Sequence, residues 1–110
     1  MLTLNQLQTI HLNAKQAVLT RFGTLDDMTV RGACGFAWVD VYGLRKNDTN
    51  PDRKVLESAG FKHSQYDKSF KLWVSGFGQS IDMKETYADA YAAELRKLGF
   101  AKAYSGSRMD

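Results

Sequence analysis

Cysteine, proline and histidine are almost missing from this chain, at one, one and two copies in 110 residues. With Cys34 alone, no internal disulfide closes and no cysteine-based metal site forms within one chain. Its default role is a small buried hydrophobe. No stretch rich in Pro, Gly or Ser divides the sequence, and a second core would not fit at this length, so residues 1–110 are read as one domain. Long apolar runs are missing too. The start, Met1-Leu2-Thr3-Leu4-Asn5, has neither the basic residues nor the continuous apolar segment of a signal peptide, which predicts a cytoplasmic protein with no membrane segment. Charge of one sign is hardly in excess: fifteen basic residues face twelve acidic ones, for a net +3 and a pI near 9.1. That balance is compatible with attraction to nucleic acid or another acidic partner without specifying either.

Recognisable catalytic sets are lacking as well. Neither His11 nor His63 has a carboxylate or cysteine at a spacing that makes a nucleophile and base pair. Asp26-Asp27 does not sit in an Asp-rich calcium loop, and no zinc-type His-Glu pair occurs. Gly76-Phe77-Gly78-Gln79-Ser80 precedes a helix but does not match a nucleotide-binding loop, and no lysine follows where one is required. It is read as a connector. The expectation is a protein that is not an enzyme and that holds no cofactor and no metal.

What is present is pattern. Leu4, Leu7, His11, Ala14 and Val18 recur at spacings of three and four, which predicts an amphipathic helix from residue 4 to about 22, with Thr3 and Gln6 as a capping box and Gly23 as its stop. Residues 34–42 alternate with period two and form a strand. Asn50-Pro51 starts a short helix that ends at Gly60. Residues 61–64 and 70–75 read as a hairpin, Asp82 with Glu85 as the cap of a helix to about 98, and residues 100–105 as a last strand before a polar tail, 106–110. The order is helix, strand, helix, strand, strand, helix, strand. That is the α+β, ferredoxin-like split βαβ sandwich with an additional N-terminal helix.

In that fold the strands at 34–42 and 70–75 are central neighbours. If Ala37, Val39, Val41 and Phe70, Leu72, Val74 meet the crossover helices, then Phe36, Trp38 and Trp73 lie on the opposite face, with Lys71, Lys102 and Tyr104 beside them. Asp40 is placed to pair with Lys71 across the sheet. Single-stranded nucleic acid is held on such surfaces, bases stacking on rings and cations meeting the backbone, at about 1–3 kcal/mol per stacked base. Arg108, in the Ser105–Arg108 tail, adds a phosphate contact. Two structural uses compete for the same rings. The helix of residues 1–23 must bury its apolar stripe on the sheet or on a partner, and a homodimer would also cover the face.

Gly32-Ala33-Cys34-Gly35-Phe36-Ala37-Trp38-Val39, Lys71-Leu72-Trp73-Val74-Ser75 and Ala101-Lys102-Ala103-Tyr104-Ser105-Gly106-Ser107-Arg108 resemble, in that order, segments of a family of small uncharacterised proteins of tailed bacteriophages, over roughly residues 30–110. The resemblance implies context rather than chemistry: an accessory protein, made in the cytoplasm of a host bacterium, that works by binding nucleic acid or a host protein. In the second case, inhibition of a host enzyme or antiviral-defence protein, Arg45 and Lys46 with their loop are the candidate contact.

Overall fold

A computed structural model describes residues 2–26, 33–44, 50–78 and 80–109. Among these, the chain forms α1 (Leu4–Phe22), β1 (Gly35–Val41), α2 (Pro51–Ser58), β2 (Lys62–Ser64), β3 (Ser69–Trp73), α3 (Ile81–Lys97) and β4 (Ala103–Met109). The strands make one sheet in the order β2-β3-β1-β4, and every neighbouring pair is antiparallel. This is the ferredoxin-like split βαβ arrangement, with α1 added at its start.

Local chemistry sets the element ends. The Thr3 hydroxyl accepts from the Gln6 backbone N–H, and the Gln6 side chain accepts in return from the Thr3 N–H, which closes the capping box of α1. Gly23 ends that helix in the left-handed region, at φ 72°. Asn50 caps α2 by accepting from Asp52 N–H, with Pro51 in the first turn. The third helix starts two residues earlier than Asp82 and Glu85 suggested. Ser80 is its N-cap and accepts from Met83 N–H at 3.2 Å.

The last strand also differs from its expected position. Residues 101 and 102 form a turn, and β4 runs from Ala103 to Met109, through what read as a polar tail. The cause is β1: its seven residues pair one for one with β4, from Val41 opposite Ala103 to Gly35 opposite Met109. Cys34, expected as buried, is exposed just before β1.

The core lies between the sheet and the helices. Ala37, Val39 and Val41 of β1, Phe70 of β3 and Ala103 of β4 are each at most 1% exposed. Leu56 of α2 and Met83, Ala88, Ala92 and Leu95 of α3 bury against the same cluster. Helix α3 packs on β1 and β4 and also against α1, whose buried stripe is Leu7, Ile10, Ala14 and Val18. Arg21 donates to the Thr86 hydroxyl at 2.7 Å, and the Leu2 N–H donates to Asp52 at 2.8 Å, fastening both ends of α1 within the helical layer.

Candidate functional site

In the sheet register Trp38 stands opposite Trp73 and Asp40 opposite Lys71, while on the other side Phe36 faces Arg108, Trp38 faces Gly106 and Asp40 faces Tyr104. Side chains alternate along a strand, so Phe36, Trp38, Asp40 and Tyr42 share one face with Ser69, Lys71 and Trp73 and with Tyr104, Gly106 and Arg108. Helix α1 lies with α3 and not over these residues. Phe36, Tyr42, Trp73 and Tyr104 are 37–52% exposed. The ring centroids are 5.2 Å apart for Trp38 and Trp73 and 6.4 Å for Phe36 and Trp73, the latter edge to face; Tyr42 and Tyr104 form a second group at 6.1 Å.

Beneath the rings is a buried polar layer. Asp40 and Lys71 are only 7% and 9% exposed although they point away from the helices. One carboxylate oxygen of Asp40 accepts from Trp38 Nε1 at 3.0 Å and the other from Ser69 Oγ at 2.8 Å. Lys71 Nζ lies 3.7 Å from Asp40 and 2.5 Å from Asp67, and 4.8 and 5.3 Å from the ring centroids of Trp38 and Trp73. The Lys71 hydrogen bond is the main reason the Asp67 carboxyl sits below its usual range. Burial, then the Asp40 and Asp67 charges, push the Tyr42 hydroxyl up. The ammonium of Lys71 is thus engaged by two carboxylates and two indoles, and its effect on the surface is to fix the rings above it.

Gly106 completes that fixation. A Cβ at this position would lie 2.5 Å from Trp38 Cε2 and Nε1, so the indole rests flat on the backbone of β4. Sequence reasoning placed Gly106 in a tail. A glycine at the register position opposite a tryptophan was the available signal.

The cations open to a ligand sit at the margins. Arg108 is exposed, with its guanidinium carbon 5.7 Å from the Phe36 centroid. Lys102 is exposed in the turn that leads to Tyr104. Lys62 of β2, which sequence reasoning did not single out, is exposed opposite Lys71 in the register and belongs to the same face. Arg45 and Lys46 lie outside the described residues, as do Asp27 and Gln79. His11 lies in the helical layer, where it bonds to Tyr87 of α3. Among the described residues no cluster of three or more His, Cys, Asp or Glu side chains is placed to hold a metal, and no helix is long and apolar enough to cross a membrane.

No protein-family model, curated protein or solved structure matches this chain.

Proposed function

We propose that the chain is a non-enzymatic accessory protein that binds single-stranded nucleic acid across the open face of its sheet. The observation that carries this reading is the contact group of Phe36, Trp38 and Trp73, with Phe36 and Trp73 left to solvent, Trp38 half-buried, and the indoles held from below by Asp40, Lys71 and Gly106. Prepositioned rings lose little side-chain entropy when a base stacks on them. Arg108, Lys102 and Lys62 are exposed cations on or beside the same face, and every base offers a stacking face, so the reading predicts weak sequence preference. The platform is complete within one chain and needs no dimer. In this reading the resemblance to tailed-phage proteins sets the place of action, the cytoplasm of a host bacterium.

The test is a fluorescence titration of the two tryptophans with a short single-stranded oligonucleotide. Binding should weaken as salt rises, with a log–log slope of about −2 for three phosphate contacts at roughly 0.7 each. Trp73→Ala should weaken it by about 5- to 150-fold, the worth of one stacked base at about 1–3 kcal/mol, with the fold intact by circular dichroism. Indifference to oligonucleotides together with capture of one host protein would overturn the reading.

A further inference from the structure

A cleft of about 370 Å³ opens where the first turns of α1, the end of α2, the end of β3 and the middle of α3 meet. It is near the lower end of the roughly 300–1,000 Å³ of small-molecule sites, which suits one compact ring system. Leu72 and Val74, on the helix-facing side of the sheet, are only partly buried here, because the helices leave them uncovered. Leu4 and Leu7 of α1 form the facing wall, and Tyr87 and Tyr91 of α3 the floor. No Lys, Arg, Asp or Glu lines it, so it offers nothing to a phosphate or an ammonium group.

Its polar equipment is Gln8 and His11, one turn apart on α1, with Ser58 and Ser75 at the rim. His11 Nδ1 is 2.6 Å from the Tyr87 hydroxyl. Burial holds Tyr87 protonated, with its pKa pushed up to about 12, while burial and then the nearby Lys15 charge lower that of His11. The imidazole is therefore neutral at pH 7, and it has two settings. When the tyrosine hydroxyl donates to Nδ1, Nε2 carries a proton and donates; when Nδ1 donates to the hydroxyl, Nε2 accepts. Nε2 has no hydrogen-bond partner among the described residues. A neutral donor-or-acceptor beside a primary amide, between aliphatic and aromatic walls, matches the edge of an uncharged heterocycle carrying both carbonyl or ring-nitrogen acceptors and N–H donors.

We propose that this cleft takes one nucleobase, its ring against the apolar walls and its polar edge on His11 and Gln8. Trp73, at the end of β3, belongs to both places: its indole packs on Trp38 and Phe36 on the open face, and the residue also lines the cleft. A strand crossing the rings therefore reaches the cleft at the end of β3, and one base per site leaves the stack and enters. The inference rests on the nucleic-acid reading above, but its test separates the two.

The experiment follows the methyl groups of Leu7, Leu72 and Val74, the His11 ring and the two indole N–H groups by NMR. Titrants are a nucleoside without phosphate and a single-stranded oligonucleotide, each added to the whole protein. The nucleoside should shift the methyls and His11 while leaving Trp38 unmoved, and the oligonucleotide should shift both sets. Gln8→Ala, at an exposed position where folding is not at risk, should weaken nucleoside binding about fivefold, the worth of one neutral hydrogen bond. His11→Leu should weaken it further. If the oligonucleotide moves the indoles but neither titrant moves the methyls, the cleft holds only water and this proposal fails while the platform stands. If the nucleoside moves the methyls and the oligonucleotide moves nothing, the cleft stands and the platform fails. Equal shifts in wild type, Gln8→Ala and His11→Leu would also overturn the cleft assignment.

Discussion

Strand β1 feeds alternate residues to two surfaces with different physics. On the helical side Ala37, Val39 and Val41 are small, aliphatic and at most 1% exposed, and α3 removes water from them. On the other side Phe36, Trp38 and Asp40, with Tyr42 just past the strand, are large or charged, and the rings themselves exclude water from the Asp40–Lys71 pair. Burying two charges has a desolvation cost that packed hydrocarbon would avoid, and it is offset here by the indole, hydroxyl and Asp67 bonds to the pair. The helical face is held by buried area. The open face is held by directed contacts, which fix where the rings point.

The largest test of that contrast substitutes one residue from each side of β3. Phe70→Ala should cost about 3–5 kcal/mol, as for a large ring deleted from a packed core, whereas Trp73→Ala, at a side chain 52% exposed, should cost no more than about 1 kcal/mol. Urea unfolding measures both, and equal losses would abolish the distinction. Asp40→Ala comes next, at about 3 kcal/mol, because it leaves the Trp38 N–H and the Ser69 hydroxyl without their acceptor and Lys71 with Asp67 alone. Gly106→Ala sharpens the contrast further. Its new methyl drives into the Trp38 indole, for about 1–3 kcal/mol of overpacking, and the near-ultraviolet circular dichroism of the tryptophans should change while the far-ultraviolet spectrum does not. An unchanged indole signal would show that Gly106 does not seat the ring.

The same contrast explains what could be read from the sequence. The element order and the capping of α1 and α2 were legible because Thr3, Gln6, Asn50 and Pro51 act within one turn of their own helix. The aliphatic face was legible because alternation in β1 is a local property. The extent of β4 was not. Residues 106–109 look like a tail until Gly35–Trp38 of β1 pair with them, and Gly106 looks like a linker until Trp38 lies on it. The Asp40–Lys71 pair was legible from their places on neighbouring strands. The burial of Lys71 and its second partner, Asp67 four residues back, depend on depth, which period-two patterning does not encode. The His11 cleft was equally hidden, since it is made where four elements fail to close on one another.

The smallest effect belongs to the helical side, where pH distinguishes the cleft from the open face. Burial, and secondarily Lys15, hold His11 below its ordinary value of 6.5 in the folded protein. The unfolded chain therefore takes up this proton first as pH falls. Stability from His11 is full above about 6.5, declines as pH drops from there toward the folded value, and is level below it. Asp67 acts in a separate and lower window: Lys71 keeps its folded pKa below 3.8, so its contribution is present above that value and disappears as pH falls through the folded one. Urea midpoints measured from pH 8 to 3 should show a shallow first step of less than about 1 kcal/mol after solvent screening and a second step below about pH 4. His11→Gln should remove the first and keep the second, and Asp67→Asn should do the reverse. A first step that survives His11→Gln would mean that this imidazole is not held neutral against Tyr87, and the two-setting contact it offers the cleft would be lost with it.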